Sequence, residues 1–131
     1  MATGIAALRA YDDDGLYARA ADVIEPRLRA GLERIREKHE IVGEVRGAGA
    51  FFALEFVRDR KTREPLVPWQ GKSLGPMPAL FAGLKKRGAY GFGRYSVMHV
   101  APPLTITEAE IDEACAIIDG AVGDLEAAAA P

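Results

Sequence analysis

Apolar residues in this chain change their spacing partway along, and that change limits the folds open to it. Leu16, Ala20, Val23, Ile24, Leu28, Leu32 and Ile35 recur every three or four positions, the mark of a helix with one buried stripe. From Ile41 the interval drops to two. IVGEVR and FFALEFV are short β-rich runs separated by Gly47, Ala48 and Gly49, and glycine there permits the positive φ of a tight reversal. The helical interval returns near the C-terminus, where Ile111, Cys115, Ile118, Val122 and Leu125 repeat. Thr107-Glu-Ala-Glu110, just before that stripe, is a capping box. A further helix begins near Pro78 and stops at Arg87–Gly88, and VMHVA reads as a third strand. The resulting order is helix, long helix, two strands, helix, strand, helix. It predicts an α/β (α+β) domain of two layers, a small, mostly antiparallel three-stranded sheet with helices packed on one face.

Other stretches carry weaker signals. Thr3 to Tyr11 reads as a first helix, and Asp12, Asp13 and Asp14 are expected to cap the next one, because carboxylates suit a helix N-terminus. Pro26 inside the long stripe predicts a kink or restart. The polar stretch Arg58 to Pro78, with Trp69 in its middle, reads as a long loop, and GAYGFGRYS reads as a glycine- and aromatic-rich loop. The alanine-rich end, Ala127 to Ala130 and then Pro131, is expected to fray.

Composition excludes several roles. At 131 residues the chain is long enough for one domain and too short for most two-domain enzymes. A net charge of −2 argues against an electrostatic grip on nucleic acid or on an anionic membrane. A lone cysteine, Cys115, allows no intrachain disulfide and no cysteine metal cluster; its place on the apolar stripe predicts core packing. No apolar run reaches membrane-spanning length. The N-terminus lacks the pattern of a signal peptide, so a cytoplasmic location is expected. No phosphate loop, GxGxxG, HExxH or GxSxG is present. His39, at the end of a charged helix, reads as a helix-terminal cation. Trp69 and the Phe51–Phe52 pair read as core or interface. The residues alone describe a soluble two-layer domain without a catalytic motif.

Three ordered stretches add a resemblance. EIVGEVRGAGAFFALEFVRDRKTREPL is similar to a family pattern in which a strand ending Val-Arg-Gly-x-Gly leads into a second strand and a charged turn. LKKRGAYGFGRYSVMHVAPPLTITEAEIDEACAIID resembles that family's C-terminal block of helix, Arg-Gly, variable loop, strand, Pro-Pro-Leu and closing helix. ATGIAALRAYDDDGLYARAADVIEPRLRAGLERI resembles the helices that leave its large domain. The family is the class III, fold-type-I aminotransferases, and the resemblance is to their C-terminal small domain, closest to the ω-amino-acid:pyruvate type.

The resemblance implies a transaminase that uses pyridoxal 5'-phosphate, held on a lysine by a large domain outside this chain. None of Lys38, Lys61, Lys72, Lys85 and Lys86 matches that lysine, so this chain alone is expected to bind no cofactor and to be inactive. Residues 1–14 are then a helix leaving the missing large domain, 15–127 the small domain, and 128–131 a frayed tail. The implied partners are that large domain, a second copy in a homodimer, an amino donor and a 2-oxo acid. No catalytic or metal-binding residue is expected here. For substrate binding the resemblance singles out three positions. GABA- and ornithine-type members carry a carboxylate-binding arginine on the strand before Pro-Leu-Thr, where this chain has His99. In the ω-amino-acid type an arginine of the preceding loop serves. Arg94 is that loop's arginine, although Phe92 lies nearer the family position. Two alternatives stay open: Arg94 as a simple exposed loop residue, and the whole chain as a stand-alone, non-catalytic binding or dimerisation module.

Overall fold

The computed structural model describes residues 2–71 and 73–130. Helix α1 (Ala2–Asp13) is followed by a short helix α2 (Leu16–Arg19), one π-helical turn (Ala20–Ile24) and α3 (Glu25–Lys38). Strands β1 (Val42–Ala48), β2 (Phe51–Asp59) and β3 (Glu64–Pro65) come next, then α4 (Met77–Lys86), β4 (Phe92–Arg94), β5 (Val97–Val100) and α5 (Glu108–Ala129). The sheet runs β1-β2-β5-β4 with β3 also paired to β2, and every pairing is antiparallel.

The architecture is the expected one, with five strands in place of three. Phe92–Arg94 reads as loop because of its glycines, yet it pairs with β5. A side chain at Gly93 would collide with the Val97 carbonyl oxygen and with Phe81 of α4, so glycine is what lets this strand come so close. The stretch from Arg58 is not wholly loop either. It completes β2, turns, and adds β3, and Leu66 and Val67 behind β3 are buried.

Several local rules hold. Gly49 adopts φ 59° in the two-residue turn between Ala48 and Phe51. Gly88 adopts φ 87° after α4, and Ala89 N–H closes back on the Leu84 carbonyl. The capping box is complete. Glu110 N–H donates to Thr107 Oγ1 at 3.3 Å and Thr107 N–H donates to Glu110 Oε2 at 2.7 Å. Pro26 lies in the first turn of α3, directly after the π turn. Proline has no N–H to donate and crowds the carbonyl four residues back, so a widened turn precedes it.

One terminal expectation is corrected. Asp12 and Asp13 continue α1 instead of capping α2. Gly15, in the left-handed region at φ 62°, sits at the α2 N-cap without a side-chain bond. The carboxylates stay fully solvated there, which weakens their unfavourable meeting with the helix dipole. At the other end α5 runs through Ala129, into the stretch expected to fray. Ala129 packs partly on the core; Pro131 lies outside the described residues.

The core lies on one face of the sheet. Val42, Val45, Phe52, Leu54, Phe56, Met98 and Val100 point into it and meet Leu28, Leu32 and Ile35 of α3, Leu80 and Leu84 of α4, and Ile111, Cys115, Ile118, Val122 and Leu125 of α5. Burial pushes the Cys115 thiol up, as suits a packed cysteine. Ion pairs bind the helix layer together: Arg27 to Glu108 and Asp112, Arg87 to Asp124, and Lys38 to Asp119. His39 caps α3, only 5% exposed, with Nδ1 2.7 Å from Glu126 and Nε2 2.9 Å from Asp119.

The carboxyls of Asp112 and Asp124 lie below their ordinary range, first because Arg27 and Arg87 donate hydrogen bonds to them. Burial raises that of Asp119, but hydrogen bonds from Lys38 and His39 outweigh it and lower the carboxyl too. Such groups hold protons less tightly folded than unfolded. Their contribution is therefore present above the unfolded carboxylate value, about 3.9, and is lost as pH falls through the folded values. The thermal midpoint should fall as the pH drops from about 4 to about 2. A midpoint constant over that window would show that these pairs contribute nothing.

Candidate functional site

Strand alternation puts a second set of side chains on the sheet face opposite the core. Register pairs Phe92 with His99 and Arg94 with Val97, and His99 with Ala53; Ala53 in turn pairs with Arg46. Phe92, Arg94, His99, Ala53, Phe51, Glu55 and Arg46 thus share one open face. All three sequence-derived site residues are brought together on neighbouring strands.

His99 is held between two aromatic rings. Phe92 stacks on it at 5.4 Å between centroids and Phe51 at 5.6 Å, each tilted by little more than 20° (21° and 23°). Both phenylalanines are exposed, Phe51 at 58% and Phe92 at 63%. Of the pair expected in core or interface, Phe52 is fully buried in the core and Phe51 is not. His99 Nδ1 is buried with no hydrogen-bond partner among the described residues. His99 also borders a cavity of about 440 Å³ whose walls include Leu84, Tyr90, Pro102, Ile106 and Ile111. One edge of that cavity is the Pro-Pro-Leu turn, which Arg19 fixes by donating to the carbonyls of Leu104 (2.9 Å) and Ile106.

The two arginines of the open face differ. Arg46 is paired with Glu55 and with Glu44. Arg94 meets no carboxylate among the described residues; its guanidinium lies 5.1 Å from the Tyr95 ring centroid and 6.0 Å from that of Trp69. Tyr95 follows it in the two-residue turn between β4 and β5, at φ 52°. That region costs a non-glycine residue on the order of 1–3 kcal/mol. Trp69, expected in a core or interface, is 71% exposed and meets the Tyr95 ring at a 49° tilt, 4.6 Å between centroids.

Phe51, Trp69 and Tyr95 are the site residues that sequence reasoning missed. Period-two alternation in FFALEFV already assigns Phe51 to the face opposite Phe52. Nothing local announces that Trp69 meets Tyr95.

Among the described residues no lysine stands in the setting a Schiff-base lysine needs. Lys38, Lys61, Lys85 and Lys86 are exposed, and Lys38 is engaged by Asp119 at 2.5 Å. A Schiff-base lysine needs a desolvated setting that lowers its proton affinity. Lys72 lies outside the described residues. Among the described residues no group of three or more His, Cys, Asp and Glu is placed to hold a metal. No described helix is long and apolar enough to cross a membrane.

Known proteins resemble this chain in sequence and in fold. A taurine–pyruvate aminotransferase of Rhodobacter capsulatus is 34% identical over 96% of this chain and 28% of its own length. A 5-aminovalerate aminotransferase of Pseudomonas aeruginosa is 31% identical over 89% of this chain and 26% of its own length. The structure of a taurine:2-oxoglutarate aminotransferase from Bifidobacterium kashiwanohense, in complex with PLP and glutamate, superposes with a TM-score of 0.83 and 32% identity. That match covers 92% of this chain and 26% of the other. The chain thus spans about a quarter of the length of the relatives it matches. The family profile described as Aminotransferase class-III matches residues 1–122, and with the fold agreeing, this chain belongs to the class III aminotransferases.

Proposed function

We propose that this chain is the small domain of a pyridoxal-phosphate-dependent transaminase. The enzyme moves an amino group from an ω-amino acid or amine to a 2-oxo acid such as pyruvate, and this domain closes over the substrate. The cofactor, its lysine and the amino transfer chemistry belong to a large domain, and the intact enzyme is a homodimeric, cytoplasmic protein. When bound, pyridoxal phosphate supplies the electron sink for the reaction. What this chain contributes is recognition. The Arg94 guanidinium receives the acidic group of the substrate, with His99 and Phe92 forming the adjoining wall.

The observation that carries this reading is the state of Arg94. It is a cation on the open face, beside an aromatic wall, with no carboxylate among the described residues to neutralise it. A planar guanidinium fork can bond two oxygens of a carboxylate at once, and a sulfonate presents the same oxygen edge. The names of two relatives point the same way, one acting on taurine and one on 5-aminovalerate. Both donors carry their acid group at the end remote from the amine.

The family setting also accounts for exposed apolar surface. α1 has no buried residue, and Ile5 and Leu8 lie open along it; a large domain packed there would cover them. The functional test is amino transfer by the full-length protein. With taurine or 5-aminovalerate as donor and pyruvate as acceptor, alanine should form at a rate that depends on added pyridoxal phosphate. Failure of acidic ω-amino donors to yield alanine, while neutral amines do, would overturn the assignment of Arg94.

A further inference from the structure

Trp69 is an exposed indole that the fold nevertheless places with care. Two residues before it, the backbone of Val67 is clamped by Ser96, whose Oγ accepts from Val67 N–H at 2.7 Å and donates to Val67 O at 3.0 Å. Ser96 is 4% exposed and sits in the β4–β5 turn directly after Tyr95. The clamp therefore ties the Trp69 segment to the one turn that carries Arg94. Tyr95 occupies a backbone region that bulky residues rarely adopt, and its ring lies 4.6 Å from the indole and 5.1 Å from the guanidinium.

We propose that Trp69 and Tyr95 form an aromatic rest for the Arg94 guanidinium, which makes Trp69 a specificity-determining positioning residue. The proposal rests on the reading of Arg94 as the acid-binding residue and deepens it. A guanidinium over aromatic faces at an exposed site is held less strongly than one bonded to an anionic oxygen pair. The Arg94 guanidinium makes no hydrogen bond to any described residue, so leaving the rest breaks none. An anionic donor draws the arginine off the rings. A neutral donor does not, and the cation then stays on the rest and out of the donor's space. The rest thus lowers apparent affinity for acidic donors slightly, by the fraction of time the arginine spends on it, and favours neutral ones.

Removing the rest should shift the two donor classes in opposite directions, which a merely structural role cannot do. In the full-length enzyme, Trp69→Ala is expected to lower KM for taurine by about two- to fivefold. It should raise KM for benzylamine by a similar factor, with kcat changed less in either case. Trp69→Phe, which keeps a ring, should restore both values. In an Arg94→Ala background Trp69→Ala should no longer alter the ratio of the two, since its effect passes through the arginine. Equal losses with both donors, or no change with either, while Arg94→Ala alone still weakens taurine, would overturn the rest and leave the acid-binding role of Arg94 standing. An Arg94→Ala enzyme unchanged toward taurine would overturn both.

Discussion

Arg94→Ala in the full-length protein is expected to raise KM for carboxylate- and sulfonate-bearing donors by about ten- to a hundredfold. That range matches the loss of hydrogen bonds to a charged group, about 1.5–3 kcal/mol. Donors without an acid group should be nearly unaffected in their own half-reaction, because Arg94 makes no contact with them. The thermal midpoint should hardly move. Arg94 is exposed, pairs with no carboxylate among the described residues, and lies beside the Tyr95 and Trp69 rings, and surface substitutions away from buried networks usually shift stability little. Equal losses for acidic and neutral donors would mean that the β4–β5 hairpin is damaged. No loss for either would leave His99, with its unpartnered Nδ1, or a residue of the large domain as the acid's partner.

The largest expected effect on stability belongs to Ile118. It is buried on α5 in a row with Cys115 and Val122, between α4 and α3 on the helix side of the sheet. α5 comes so near α3 that a side chain at Gly31 would strike Cys115, so this interface has little freedom to collapse. Truncating a packed aliphatic side chain costs its transfer energy and leaves a cavity. Ile118→Ala should therefore destabilise the domain by about 2–5 kcal/mol, read as a lower denaturant midpoint at unchanged slope. An unchanged midpoint would mean that α5 does not close the core.

How much of this was legible beforehand depended on how local each signal was. The capping box at Thr107 and Glu110, the Gly49 turn and the Ile111–Leu125 stripe are rules that act within a few residues, and each appears in the structure as read. β4 escaped because Gly91 and Gly93 look like chain breakers, and only its pairing with β5 and the approach of Phe81 make a strand of it. β3 is two residues long and exists through β2. His39 was placed correctly at a helix end, but the carboxylates beside it come from α5, 80 and 87 residues away. The Trp69–Tyr95–Arg94 cluster depends likewise on the bond between Ser96 and Val67, 29 residues apart. The three site residues were found through family resemblance. Their chemistry, a stacked imidazole beside an arginine without an acid, needed the fold.

The central claim is that this chain recognises the substrate while cofactor chemistry proceeds elsewhere in the same enzyme. Borohydride trapping of pyridoxal phosphate on the full-length protein, followed by peptide mapping, tests it most directly. One stoichiometric adduct is expected, on a lysine outside these 131 residues. A stoichiometric adduct on Lys38, Lys61, Lys72, Lys85 or Lys86 would contradict it.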